Sequence, residues 1–295
     1  MDIRPRRSVL YMPGANARAL DKARALPADG LILDLEDAVA PEAKAEARQR
    51  VVETVRSRPF GHREVVIRVN AIGTPWGIAD LEAAISAGPD AILIPKVSRP
   101  GDIVSAANIL QARQARPQTR LWAMMETPAA ILNAGAIAAA ATDPGTRLSC
   151  LVLGTNDLLK ETRARPDGNR FAVVPWLATC VLAARACGLD VLDGVYNDFK
   201  DESGFRAECE QGRNLGLDGK TLIHPAQIGP CNDIFSPSKD EIEWSQAVIA
   251  AFERPENATK GVITVDGRMV ERLHLAMARR TVAITDAIAK LAEAA

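Results

Sequence analysis

Aromatic residues make up only 4% of the 295-residue chain, while hydrophobic residues reach 47%. The core this allows is aliphatic, rich in Ala, Leu, Ile and Val. The formal net charge is −1, which argues against a nucleic-acid binder held by phosphate attraction. The five cysteines, at 150, 180, 187, 209 and 231, include no CxxC pair, so neither a disulfide framework nor a zinc site is expected. The start, Met1-Asp2-Ile3-Arg4-Pro5-Arg6-Arg7, is basic, but no long apolar segment follows it. No signal peptide and no membrane span are therefore expected, and the default location is a reducing cytoplasm. A Gly-x-Ser-x-Gly motif is missing, which removes support for a serine esterase. Gly219-Lys220-Thr221 has the look of a P-loop end, but the glycine that loop requires is Asn214.

What is present is a strand–helix alternation. Strand-like runs fall at Ser8–Pro13, Gly30–Leu35, Glu64–Val69, Ala91–Val97, Leu121–Glu126, Leu148–Leu153, Asp190–Val195 and Lys220–Ile223. Ala-rich amphipathic segments lie between them, at Ala15–Ala25, Pro41–Ser57, Ile78–Ala87, Ile103–Ala115, Pro128–Ala141, Trp176–Ala186 and Phe205–Leu215. This order predicts parallel βαβ units, and eight such strands point to an α/β fold of the closed (β/α)₈ TIM-barrel type. An open doubly wound sheet is the alternative, but its Gly-x-Gly-x-x-Gly marker is absent after the first strand, where Pro13-Gly14 stands. The expected division is a barrel over 1–230 and a C-terminal helical extension over 231–295. In that extension Ser238–Phe252 and the stretch from Glu271 onward are helical in pattern, joined by Pro255–Asp266.

In such a barrel the active site lies at the C-terminal ends of the strands. Those ends carry Asp34, Glu36 and Asp37; Arg68 and Asn70; Lys96; Glu126; Asn156 and Asp157; Tyr196, Asn197 and Asp198; and His224. Two strands stand out. Leu121-Trp122-Ala123-Met124-Met125-Glu126 and Cys150-Leu151-Val152-Leu153-Gly154-Thr155-Asn156-Asp157 are apolar runs without alternation, each closed by an acid. Such runs suit strands buried on both faces. Two carboxylates without His or Cys are hard oxygen ligands, suited to Mg²⁺ rather than Zn²⁺. The competing reading makes both acids helix N-caps, which fits Asp157 better than Glu126.

Arg68, set among apolar residues in Val65-Val66-Ile67-Arg68-Val69-Asn70, is expected to point into the barrel mouth. A guanidinium there suits a carboxylate or a developing oxyanion. The competing reading is an internal ion pair with Glu36 or Glu126. For Lys96 the competing reading is a pair with Glu36 or Asp37. His224, before Pro225, reads as a hydrogen-bonded turn residue and Asp201 as a solvated loop acid. An arginine, two metal-binding acids and no serine elbow point to carbonyl chemistry through an enolate.

Several motifs together resemble the citrate lyase β-subunit and malyl-CoA lyase family. They are Arg7-Ser8-Val9-Leu10-Tyr11-Met12-Pro13-Gly14, Asp34-Leu35-Glu36-Asp37-Ala38-Val39, Ile67-Arg68-Val69-Asn70, Ile94-Pro95-Lys96-Val97 and Gly219-Lys220-Thr221-Leu222-Ile223-His224-Pro225. The resemblance runs from about Arg7 to the C-terminal helix. It implies a Mg²⁺ site at Glu126 and Asp157, a keto-acid and enolate arginine at Arg68, and substrate contacts from Gly154, Thr155 and Asn156. It further implies outer-layer roles for Glu36, Asp37 and Lys96, and nucleotide-phosphate contacts of coenzyme A by Arg18 and Lys22. A homo-oligomer, a trimer or a pair of trimers, is implied as well. There the family's Gly-x-Met-Val/Ile-Asp places its Asp in a neighbour's site as acid/base. Here the run is Gly267-Arg268-Met269-Val270-Glu271, so the carboxylate is kept on a side chain one methylene longer, and either the backbone adjusts or the chemistry departs from the lyase pattern.

The first expectation is thus a Mg²⁺-dependent lyase or synthase that joins or splits an acyl-CoA thioester and a 2-oxo acid such as glyoxylate. The second is a malyl-CoA thioesterase on the same scaffold. The third, from a different class, is a citrate lyase subunit that binds carrier-protein thioesters only within its complex.

Overall fold

The computed structural model describes residues 3–165 and 167–293. Eight parallel strands close into a barrel in sequence order: β1 (Ser8–Pro13), β2 (Gly30–Asp34), β3 (Glu64–Arg68), β4 (Ala91–Ile94), β5 (Arg120–Met125), β6 (Leu148–Leu153), β7 (Asp190–Asp193) and β8 (Gly219–Leu222). The helices are α1 (Ala17–Lys22), α2 (Lys44–Ser57), α3 (Gly77–Ala87), α4 (Pro100–Ala112), α5 (Pro128–Leu132), α6 (Ala134–Ala139), α7 (Thr155–Thr162), α8 (Val174–Ala186), α9 (Glu202–Leu215) and α10 (Ile228–Phe235). Beyond them come α11 (Lys239–Glu253), a hairpin of β9 (Val262–Val265) and β10 (Arg268–Glu271), and α12 (Arg272–Glu293).

Successive strand residues point to opposite faces, so each strand feeds two cores. Val9, Ile32, Val66, Leu93, Trp122, Met124, Val152 and Leu192 fill the barrel interior. Leu10, Leu31, Leu33, Ile67, Ile92, Leu121, Ala123 and Leu151 face the helices. Both faces are buried, which is why the strands read as unbroken apolar runs. On Trp122 sits the Arg6 guanidinium, 5.1 Å from the ring centroid. Arg6 is held by Glu64 through bonds of 2.7 and 2.8 Å and pairs with Asp190. These contacts plug the end of the barrel opposite the strand C-termini.

Two helical segments differ from the sequence pattern. The expected helix over Pro128–Ala141 breaks at Asn133, which leaves the helical conformation (φ −104°, ψ 11°) and donates from Nδ2 to the Ser98 carbonyl at 2.9 Å. The helix expected from Glu271 starts at Arg272, because Glu271 ends β10. The hairpin turn is Asp266-Gly267, both with positive φ, the pairing that suits a two-residue hairpin.

The chain divides into two compact units. Arg6–Phe235 is the barrel, and residues 3–5 with 236–293 form the other. The boundary falls after α10 rather than at 230/231, since α10 packs on β1, β8 and α9. In the second unit Val248 and Phe252 of α11, Ile263 and Val265 of β9, Val270 of β10, and Leu275 and Ala278 of α12 form a small core of their own. Among the described residues no helix is long and apolar enough to cross a membrane.

Candidate active site

At the C-terminal mouth of the barrel lies a cavity of about 350 Å³. Its wall includes Tyr11, Asp34, Asp37, Arg68, Met124, Glu126, the run Leu153–Asp157, Val195, Asn197, Thr221 and Ile223.

Parallel register sets one half of it. Asp34 ends β2 directly beside Arg68 at the end of β3. Arg68 donates to both Asp34 oxygens, from Nε at 2.7 Å and Nη2 at 2.6 Å. Its remaining nitrogen, Nη1, stands 2.8 Å from Glu36 and 3.3 Å from Asp37. The guanidinium also lies over Tyr11, 4.9 Å from the ring centroid. Asp34 is fixed in turn by the backbone N–H groups of Glu36 and Ala38. Of the two pairings expected for Arg68, Glu36 is found and Glu126 is not; the main partner is Asp34. Burial works against the Arg68 charge, but Asp34, Tyr11 and Glu36 outweigh it and keep the group cationic. Burial pushes Glu36 up to about 8 against the pull of Arg68, and its Oε2 meets Arg68 Nη1 as an ion pair without hydrogen-bond geometry.

The other half comes from β5 and β6. Glu126 follows β5, and Asp157 lies in the first turn of α7 after β6. Neither acid is a cap. Thr127 caps α5, accepting from the Ala130 N–H, and Gly154 occupies the N-cap of α7. The capping explanation for the two acids is therefore removed. Gly154 is there because nothing larger fits: a Cβ would stand 2.3 Å from Glu126 Cβ and 2.8 Å from its Oε2. With no side chain at the cap, the first turn of α7, Thr155 and Asn156, has no side-chain cap and lines the cavity. Such N–H groups suit a carboxylate.

Lys96 departs from expectation. It does not pair with Glu36 or Asp37. Its Nζ lies 2.7 Å from Asp157 Oδ2 and 3.5 Å from Glu126 Oε2, and its backbone N–H donates to Glu126 Oε1 at 2.7 Å. The reason is strand order: Lys96 follows β4, the neighbour of β5, whereas Glu36 lies beyond β3. Burial pushes Glu126 up to about 7, with Lys96 opposing. At Asp157 burial also disfavours the charge, but the Lys96 ammonium prevails and holds the carboxyl below its usual value.

These residues fit a divalent cation. Glu126 is fully buried, and its Oε2 has no hydrogen-bond donor. Five carboxylates (Asp34, Glu36, Asp37, Glu126, Asp157) face two cations (Arg68, Lys96), a deficit of positive charge. Two carboxylates suit Mg²⁺, which takes one or two and fills its octahedron with water and substrate. Among the described residues no group of three or more His, Cys, Asp or Glu side chains could hold a metal.

The remaining candidates fall elsewhere. Arg18 and Lys22 are exposed on α1 and do not line the cavity. Glu271 belongs to the second unit, where its N–H donates to His274 Nδ1 at 2.9 Å. Asn70 is structural, joining Lys44 and Asp80. His224 is the turn residue expected, its Nδ1 accepting from Ala226 N–H. Asp201 is not merely solvated: it caps α9 and accepts from Tyr196 Oη at 2.7 Å. Sequence reasoning placed Asp34 and Asn197 at the strand ends without giving either a role, and left Tyr11 out of the site. Asn197 exchanges amide hydrogen bonds with Asn156 across the β6 and β7 loops. What the sequence did not give for Asp34 was its partner, which the β2–β3 register sets.

Residues 7–225 match the HpcH/HpaI aldolase/citrate lyase family. The chain is 53% identical over 285 residues to a (3S)-malyl-CoA thioesterase of Cereibacter sphaeroides, covering 97% of this chain and 96% of that protein. It is 34% identical to the citrate lyase subunit beta of Escherichia coli, covering 91% and 89%. Among solved structures it is similar to the Mycobacterium tuberculosis protein CitE in complex with magnesium, acetoacetate and coenzyme A. That likeness has a TM-score of 0.76 at 28% identity, over 97% of this chain and all of the other.

Proposed function

The chain belongs to the HpcH/HpaI aldolase/citrate lyase family, and on that footing we propose that it is a Mg²⁺-dependent enzyme that hydrolyses a malyl-CoA-like thioester. The observation that carries hydrolysis ahead of carbon–carbon cleavage is the 53% identity, nearly end to end, to a (3S)-malyl-CoA thioesterase, against 34% to a citrate lyase subunit. The presence of Glu271 where the resemblance implies Asp supports the same choice.

In this reading Glu126 and Asp157 hold the cation. When bound, it supplies positive charge and Lewis-acid polarisation to the substrate oxygens it touches. The first turn of α7, Thr155 and Asn156, receives the malyl carboxylate. Arg68, immobilised on Asp34, donates to the oxygen on which charge develops. Water attacks the thioester carbonyl, the C–S bond breaks, and the thiolate leaves with a proton as free coenzyme A.

A second reading is the carbon–carbon lyase, favoured by the bidentate seating of Arg68, which also suits an enolate. There a base takes the hydroxyl proton, the C–C bond breaks to give glyoxylate and the acetyl-CoA enolate, and the enolate carbon takes a proton to become acetyl-CoA. For either chemistry we place the coenzyme A phosphates near Arg18 and Lys22. The protein acts as a homo-oligomer, a trimer or hexamer, in which Glu271 enters a neighbour's site as acid/base. Purified protein with Mg²⁺ and malyl-CoA distinguishes the two by mass spectrometry. Free coenzyme A with malate supports hydrolysis; acetyl-CoA with glyoxylate overturns it in favour of the lyase.

A further inference from the structure

Lys96 is clamped to the two candidate metal ligands at both of its ends. Its backbone N–H holds Glu126 Oε1, and its ammonium stands between Glu126 Oε2 and Asp157 Oδ2. To do this it adopts φ +53°, the left-handed region that side-chain-bearing residues enter only where surrounding structure enforces it. Arg68, the other cation of the mouth, is committed to Asp34, Glu36 and Asp37. Lys160 and Arg68 act on the pair only from a distance, so the direct charge balance of Glu126 and Asp157 falls to Lys96. Its side chain is 32% exposed, so the ammonium has a path into solvent while its backbone grip on Glu126 stays in place.

We propose that Lys96 is a built-in counter-cation that competes with the divalent metal for Glu126 and Asp157. Metal entry displaces the ammonium from between the two carboxylates, and the protein alone holds the metal less firmly than its two acids would otherwise allow. This rests on the reading of Glu126 and Asp157 as the metal ligands. Removing the ammonium takes one positive charge from beside a doubly charged ion, a change on the order of tenfold in affinity at a partly solvated site.

The test is calorimetric titration with Mg²⁺ or Mn²⁺ of the wild type, Lys96→Met, Lys96→Arg and Glu126→Gln, together with thermal unfolding in EDTA and in Mg²⁺. Lys96→Met is expected to bind either metal on the order of tenfold more tightly, to melt lower than wild type in EDTA, and to gain more from added Mg²⁺. Lys96→Arg should retain the weaker wild-type affinity. If Lys96 only orients the acids, Lys96→Met binds metal equally or more weakly, which overturns the proposal. Glu126→Gln separates the two levels. Lost binding there, with no tightening in Lys96→Met, sinks the counter-cation alone; unchanged binding there sinks the metal-site reading and this inference with it.

Discussion

Gly154 and Glu126 are in closer contact than any other residue at position 154 would permit: a methyl group there would sit 2.3 Å from Glu126 Cβ. The end of β6 thus fixes how far the carboxylate of β5 can move. Gly154→Ala is expected to push Glu126 from its position beside Asp157 and to weaken Mg²⁺ binding at least tenfold. Far-UV circular dichroism should be unchanged, because the barrel does not depend on that contact. Calorimetric titration checks it, and wild-type affinity in this variant would show that the exact place of Glu126 is immaterial to the metal.

Arg68→Lys keeps the charge but loses the two-pronged bond to Asp34. The expected outcome is near-normal Mg²⁺ affinity with kcat reduced roughly 10²-fold, the scale of losing one donor to a developing oxyanion. Steady-state kinetics that show only a raised KM would assign Arg68 to ground-state binding instead.

Much of this architecture was legible in the sequence. Strand-like runs alternating with amphipathic segments marked all eight strands, the fifth and sixth most clearly as apolar runs without alternation, because strands buried on both faces demand them, and the mouth residues followed from the strand ends. What the runs did not reveal was who pairs with whom. Asp34 as the partner of Arg68 depends on the β2–β3 register. Lys96 meeting Asp157 rather than Glu36 depends on β4 lying next to β5. The β9–β10 hairpin was hidden because its strands are four residues each and abut a long helical pattern, although Asp266-Gly267 was a turn signal in plain view.

A buried ion cluster outside the candidate metal site predicts acid behaviour. Asp193 pairs with Arg170 at 2.8 Å and Lys220 at 3.0 Å. Burial alone would raise its carboxyl, but Lys220 and Arg170 hold it below the usual value. A depressed folded-state pKa contributes stability that is present above the unfolded pKa of about 3.9 and is lost as pH falls through the folded value. Asp193→Asn should therefore destabilise the protein at neutral pH by about 3–5 kcal/mol. Its deficit relative to wild type should shrink only at strongly acid pH. Urea unfolding midpoints over a pH series measure this, and a deficit that vanishes already at pH 5 would contradict it.

Sharing of the site between subunits is tested by mixing. Glu271→Gln and Glu126→Gln proteins should each be inactive alone. After subunit exchange some sites regain both wild-type residues, so activity should return to a fraction of the wild-type level. Exchange demonstrated by differently tagged subunits without any return of activity would place Glu271 outside a neighbour's chemistry.

Hydrolysis itself is tested most directly by following the water. Malyl-CoA is turned over by the purified protein with Mg²⁺ in oxygen-18 water, and the malate is weighed by mass spectrometry. The account predicts one labelled oxygen in the malate carboxyl group released from the thioester, alongside free coenzyme A. Acetyl-CoA and glyoxylate in place of labelled malate would contradict it.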